Sequence, residues 1–294
     1  MALPVFDLSA RTKLRVTGAD RVRFLNGQTT NEVRKAGAEA TQESCVLNAK
    51  GHLDAHIFLL ATPNDIWIDA DGELRQQLQT RLNRYVIADD VTIEDVGDAY
   101  ALFHVLAESK PEGIDTKFCL RSRRLGSDGW DLWVESATAR ETKSKLGTIY
   151  ELKNENEWET LRVESGTPRW GRELTPQIIP PEANLADRAV DYEKGCYIGQ
   201  EVISRMKMSG QMRQRLCVLV SENPLFTGME LRAGGKLVGG VTSAAFSRRI
   251  GSHLGLALIK RGYTSVGTSL LASKDEAQAS VRIVSLPGLL IDRI

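Results

Sequence analysis

The sequence predicts a mixed chain: α+β or α/β layers through about residue 212, then a small β-barrel or sandwich. Three observations carry this. Strand-like alternation and helix-like spacing take turns along the first part of the chain. After Gln211 the runs become short, β-prone and closely spaced, and residues 228–267 hold nine of the 25 glycines. The length of 294 residues, at roughly 150 per domain, fits about two domains.

Taken in order, residues 14–17 alternate as a strand does. Asp20 then stands as an N-cap ahead of Val22 and Leu25, with Gly27 placed to end the short helix. Residues 43–47 and 56–60 read as a hairpin about the turn Asn48-Ala49-Lys50-Gly51. Leu74, Leu78 and Leu82 recur every four residues, which predicts a helix over about 73–85. Strands are expected at 91–93, 101–106 and 131–135, with a polar helix near 137–146. Beyond residue 212, strands are expected at 216–220, 230–232, 237–241, 254–259 and 269–272.

Composition excludes several classes. Thirty-eight basic residues balance 38 acidic ones, so a generally basic nucleic-acid or membrane-surface binder is not expected. At 42% hydrophobic and 26% charged residues, the chain has material for a sizeable core. The opening MALPVFDLSA has no basic n-region and is interrupted by Asp7, unlike a secretory leader. No apolar window reaches membrane-span length, so no membrane partner is expected. Four cysteines without a CxxC pair point to reduced thiols and a cytoplasmic location rather than a disulfide scaffold or zinc knuckle. His52 and His56 flank the hairpin turn rather than sharing a helix face, so no metal site is expected there. P-loop, dinucleotide-binding and nucleophile-elbow motifs are all missing.

Three segments carry chemistry. In Lys194-Gly195-Cys196-Tyr197-Ile198-Gly199-Gln200-Glu201, two glycines bracket a Cys-Tyr pair ahead of a helical pattern. Such a loop-to-helix junction offers unpaired N–H groups to an anion, and Lys194 and Arg205 add positive charge beside the Cys196 thiol. The plain alternative is a tight loop around a small buried cysteine. In the second segment, Glu164 precedes Ser165-Gly166-Thr167-Pro168, where a helix gives way to a turn. There it can accept two parallel hydrogen bonds from an amino-substituted heterocycle, or simply be a solvated helix residue. The third is a basic run, Arg205, Lys207, Arg213 and Arg215, suited to steering a polyanion or to being a solvated face.

Together these segments resemble one known group. Leu14-Arg15-Val16-Thr17-Gly18-Ala19-Asp20, with Phe24-Leu25-Asn26-Gly27-Gln28-Thr29-Thr30-Asn31, resembles the opening of the folate-binding aminomethyltransferase superfamily. KGCYIGQE at 194–201 resembles the signature of its YgfZ branch, folate-binding proteins linked to iron–sulfur cluster maintenance and tRNA modification. Gly239-Gly240-Val241-Thr242-Ser243-Ala244 and Gly255-Leu256-Ala257-Leu258-Ile259 resemble its C-terminal barrel. The resemblance implies an α+β fold: two interleaved ferredoxin-like subdomains around a folate pocket within residues 1–212, and a β-barrel domain at 213–294. It implies tetrahydrofolate or a one-carbon folate derivative as cofactor, Glu164 as the carboxylate that holds the pterin, and Cys196 as the functional thiol. Lys194, Tyr197 and Gln200 match the branch motif and count as cofactor-binding candidates, with Arg162 and Arg205 beside them.

One departure stands out. Glycine-cleavage aminomethyltransferases carry paired aspartates in the hairpin, and these positions fall here on Ala55 and His56, with Asp54 one residue early. Strand alternation would turn that offset to the opposite face, unless the turn absorbs it. The resemblance therefore implies a tetrahydrofolate-binding accessory protein that supports assembly or repair of iron–sulfur enzymes, including tRNA-modifying ones. Its partners would be those enzymes or assembly factors. The rival reading is a folate-dependent aminomethyltransferase or amine demethylase. Direct tRNA contact through residues 205–215 is the least expected.

Overall fold

The computed structural model describes residues 2–285. It divides into two compact units. The first runs through Glu155 and takes in Asp187–Ser204, and the second joins Asn156–Ala186 to the chain from Arg205 onward. The fold is α+β with a closed C-terminal barrel.

In chain order the first unit contains β1 (Pro4–Asp7), β2 (Thr12–Thr17), α1 (Arg21–Gln28), β3 (Gln42–Leu47), β4 (Leu53–Ala61), β5 (Ile66–Ala70), α2 (Arg75–Asn83), β6 (Thr92–Asp95), β7 (Tyr100–Val105), β8 (Phe118–Ser122), β9 (Gly129–Glu135), α3 (Ala139–Ile149) and β10 (Glu151–Lys153). Two five-stranded sheets result, ordered β10-β1-β7-β9-β8 and β3-β4-β5-β2-β6. The chain interleaves them: β1 belongs to the first sheet, β2 to β6 build the second, and the chain then returns to finish the first.

The expected hairpin is present, with β3 antiparallel to β4. Leu74, Leu78 and Leu82 are buried as their spacing requires, although the first turn, Gly72–Leu74, is a 3-10 helix. Two expectations at α1 are corrected. The Asp20 carboxylate does not cap the helix; it accepts the Asp90 N–H at 2.9 Å and is drawn toward Arg23, tying the start of α1 to the loop before β6. Gly27 lies inside the helix, which ends at Thr29. Short or uniformly buried strands such as β5, where all five residues are buried, escape alternation-based reading.

Apolar and ionic contacts weld the two sheets. Trp67 of β5 meets Trp133 of β9 edge to face at 5.8 Å, with Leu60, Leu102 and Leu120 packed around them. Alongside, buried Arg124 forks onto Asp131 of β9 and reaches Asp69 of β5 at 2.5 Å. Asp131 also accepts from His104 Nδ1 of β7 at 2.7 Å. Burial works to raise the Asp131 pKa, but the Arg124 charge and the His104 hydrogen bond override it and hold the carboxyl well below the usual range.

The second unit holds α4 (Glu155–Ser165, whose first residue falls in the first unit), α5 (Ala186–Ala189, whose last three residues fall in the first unit), α6 (Gln200–Ser209, crossing the division at 204/205) and strands β11 (Gln214–Ser221), β12 (Glu230–Ala233), β13 (Lys236–Ser247), β14 (Ser252–Lys260), β15 (Ser269–Lys274) and β16 (Ala277–Val284). The strands close as β11-β14-β13-β12-β15-β16, with β16 pairing back onto β11. Leu219, Leu231, Val241, Ile259, Val281 and Ile283 fill the interior. The barrel's sixth strand, absent from the sequence reading, has a period-two burial pattern in which Ala279, Val281 and Ile283 point inward. The segment 286–294 of the expected barrel domain lies outside the described residues.

Asp131→Asn is expected to cost about 3 kcal/mol of unfolding free energy at pH 7, because it leaves the buried Arg124 guanidinium undercompensated. The depressed carboxyl contributes its stability in full above the unfolded value of 3.8 and loses it only as pH falls through the lower folded value. Urea melts should thus show a constant gap between wild type and variant above about pH 4, narrowing below it.

Candidate functional site

The KGCYIGQE loop of the first unit is built onto the end of α1. A helix leaves its last carbonyls without intrahelical donors. The Lys194 ammonium fills that gap, donating to Asn26 O at 2.8 Å, Thr29 O at 2.7 Å and Asn31 O at 2.8 Å, while Ile198 N donates to Gly27 O at 3.2 Å. All three ammonium donors are used by the protein itself, so the positive charge expected at the thiol serves the loop instead. Burial pulls the Lys194 pKa down to about 8, against the raising pull of Glu32 and Asp191. The Tyr197 ring lies 5.2 Å from the ammonium, and burial pushes its phenol pKa up.

The other end of the loop is set by two glycines. Gly199 has φ +84°, and a Cβ there would stand 2.6 Å from Asn48 O of the β3–β4 turn. A Cβ on Gly51 of that turn, at φ +76°, would stand 2.9 Å from the Val202 Cβ. Gln200 then opens α6. Between the buried Lys194 and Tyr197, Cys196 is exposed. The other three thiols differ: burial raises the pKa of Cys45 and Cys119, and pushes Cys217 up to about 11.

In the second unit, α4 carries Arg162 and Glu164, both buried. Arg162 spends all five N–H groups at home: two on Glu159, one each on Thr167 O, Glu173 and Ser243 Oγ. Glu173 is saturated in turn. A bulge in β13 between Val241 and Ser243 delivers two successive hydroxyls to its Oε1, from Thr242 at 2.6 Å and Ser243 at 2.7 Å. Arg162 is thus a positioning group for α4 with no donor left to offer a ligand.

Glu164 is different. Its Oε1 accepts from buried Ser247 Oγ at 2.5 Å, and its Oε2 meets Arg249 Nη2 at 3.2 Å. Both carboxylate oxygens are thus engaged, Oε1 by a buried hydroxyl and Oε2 by a single guanidinium nitrogen. Neither Ser247 nor Arg249 was flagged by the sequence, since they arrive from the β13–β14 turn more than 80 residues away. The cofactor-binding candidates therefore fall in two groups: Lys194, Tyr197 and Gln200 beside Cys196 in the first unit, and Arg162, Glu164 and Arg205 in the second.

The basic run does not form one strip. Arg205 and Lys207 ride on α6, whereas Arg215, on β11, donates to Asn184 at 2.9 Å, and Arg213 stands 3.8 Å from Glu182. In the β3–β4 hairpin the pairing jumps from Val46–Ala55 to Leu47–Leu53, making Asp54 the extra residue of a bulge. The bulge resets the alternation, and Asp54 binds Arg81 Nε at 2.7 Å, Arg81 also holding Gln28 and Leu47 O. His56 is buried against Glu43 at 3.2 Å, and Arg188 approaches the same oxygen at 3.0 Å.

Gly199→Ala is expected to cost about 1–3 kcal/mol, combining a positive φ with the clash at Asn48 O. Gly195→Ala, where an added Cβ meets open space, should be near neutral. Thermal melts of the two variants check the pair.

Comparison with known proteins follows the same outline. Residues 213–288 match the glycine cleavage T-protein C-terminal barrel domain. The chain is 26% identical to an aminomethyltransferase of Thermoanaerobacter sp. (strain X514), over 92% of this chain and 81% of that one. It is 28% identical to the mouse mitochondrial iron–sulfur cluster assembly factor IBA57, over 88% and 78% respectively. With the tRNA-modifying protein YgfZ of Escherichia coli O127:H6 it shares 27% identity, over 69% and 68%. Its fold matches the crystal structure of glycine cleavage system aminomethyltransferase T from Bartonella henselae, with a TM-score of 0.86 at 18% identity, covering 97% of this chain and 86% of that one. The interleaved sheets, the closed barrel, the KGCYIGQE loop and these relatives agree: the barrel is that of the glycine cleavage T-protein family, and the chain as a whole is similar to aminomethyltransferases and to the YgfZ and IBA57 proteins.

Proposed function

We propose that this protein is a cytoplasmic, tetrahydrofolate-binding accessory protein that supports the assembly or repair of iron–sulfur enzymes, including tRNA-modifying ones. The observation that carries the proposal is the fixed presentation of Cys196: an exposed thiol on a loop pinned at Lys194 and Gly199, in a chain whose other cysteines are buried or half-buried. The names of the IBA57 and YgfZ relatives point the same way. One motif cysteine cannot fill the usual four thiolate positions of a cluster, so any cluster contact is transient and completed by a partner enzyme or assembly factor. Direct tRNA contact is not required.

Glu164 would hold the pterin of tetrahydrofolate or a one-carbon derivative through its ring N–H and 2-amino group, with Ser247 fixing the carboxylate. Bound folate would supply a carrier of one-carbon units. Arg162, Lys194 and Tyr197 act by position, holding α4 and the Cys196 loop; Gln200 and Arg205 are the remaining candidates for ligand contact.

Two measurements on the pure protein and in a deletion strain test this. Calorimetric titration with tetrahydrofolate should show binding that Glu164→Gln weakens at least tenfold, as expected for loss of a charged acceptor. Cys196→Ala should bind folate like wild type yet fail to complement. Full rescue by Cys196→Ala, or no folate binding by wild type, rules the proposal out.

A second reading, a folate-dependent aminomethyltransferase or amine demethylase, is favoured by one observation. The bulge at Asp54 supplies a carboxylate at the hairpin despite the missing pair, with Oδ2 committed to Arg81. Methylene-tetrahydrofolate production from an added small amine, abolished by Asp54→Asn, would support it. Unchanged turnover in that variant would remove Asp54 as the acid.

A further inference from the structure

The two groups that hold the Glu164 carboxylate are unlike each other. Ser247 is fully buried and does double duty: its hydroxyl donates to Oε1 at 2.5 Å and accepts the Ile250 N–H at 3.2 Å, so it belongs to the framework of the β13–β14 turn. Arg249 sits two residues further along the same turn. Its side chain is 55% exposed, and it reaches Oε2 through a single nitrogen at 3.2 Å. Glu164 itself is only 6% exposed. A buried carboxylate oxygen is thereby covered by a cation that can leave into water without breaking the fold.

We infer that Arg249 is a displaceable guanidinium cover on Glu164: it occupies Oε2 in the free protein and competes with the planar N–H fork of an incoming pterin. This inference rests on the folate reading of Glu164 and adds a specificity-determining residue to it. Two consequences follow from the chemistry. A ligand must bring two donors in one plane to displace Arg249 and still satisfy the carboxylate, because a single donor merely exchanges one hydrogen bond for another. The cover also keeps the empty site from presenting an unpaired buried oxygen, a state that would otherwise be costly.

An exposed ion pair of this geometry is weak, so its removal should tighten binding modestly, about two- to fivefold. The test is calorimetric titration of the full-length protein with two probes: tetrahydropterin, which has the fork and no anionic tail, and 5-formyltetrahydrofolate, which has both. Arg249→Ala is expected to bind tetrahydropterin about two- to fivefold more tightly than wild type, and Arg249→Lys to lie close to wild type. In a Glu164→Gln background, Arg249→Ala should have no effect on tetrahydropterin. Melting temperatures confirm that each variant is folded. If Arg249→Ala leaves tetrahydropterin binding unchanged or weaker while wild type binds both probes, the cover is overturned and the folate reading stands. If it weakens 5-formyltetrahydrofolate alone, Arg249 grips the anionic tail instead, and the cover is again overturned. If wild type binds neither probe, the folate reading falls and takes this inference with it.

Discussion

Three main-chain carbonyls converge on the Lys194 ammonium, and the presentation of Cys196 depends on that convergence. The carbonyls come from the end of α1 and the residues just after it. The cation comes from a loop more than 160 residues later in the chain. One side chain thus solves two problems: it satisfies a helix terminus that lacks donors of its own, and it anchors the first residue of the motif. With Lys194 turned inward and Tyr197 buried beside it, the two residues between them, Gly195 and Cys196, are exposed. The thiol's exposure is a by-product of where the lysine must go.

The same logic of saturation recurs elsewhere. Arg124 with Asp131 and Asp69, and Arg162 with Glu173 and Glu159, are ionic clusters built on buried guanidinium groups, and in the second all five guanidinium N–H groups have acceptors. Such clusters are weak contributors to stability when intact and severe liabilities when one member is lost. Their value here is geometric: each one fixes the relative placement of secondary-structure elements within its unit. The first ties two sheets together at Asp69 and Asp131, and the second ties α4 to β13 through Ser243. Glu164, on α4, inherits a defined position from the Arg162 cluster two residues away.

Much of this was legible in the sequence, and the rest was not for identifiable reasons. The leucines of α2, the turn glycine Gly51 and the glycine-rich barrel follow from spacing and backbone sterics, which are local properties. Cys196 and Glu164 were singled out by motif resemblance. The anchoring contacts of Lys194 were not legible because its partners are carbonyls, which every residue possesses and no sequence position advertises. Ser247 and Arg249 were missed because a turn brings them to α4 from far along the chain. Asp54 was discounted on strand alternation, which a bulge breaks without a local signature.

The interleaving of the sheets has a consequence in time. β1 pairs with β7 on one side and β10 on the other, so Pro4 waits for Glu151 to find its partner. At synthesis rates of about 5–20 residues per second, the ribosome needs roughly 7–30 s to deliver that partner. The second sheet, β2 to β6, has all its strands long before then. β1 is therefore enclosed well after it is made. During that interval the side chains of Val5 and Phe6, buried once the sheet is complete, stay exposed, which gives a nascent-chain holdase something to grip until the first sheet closes.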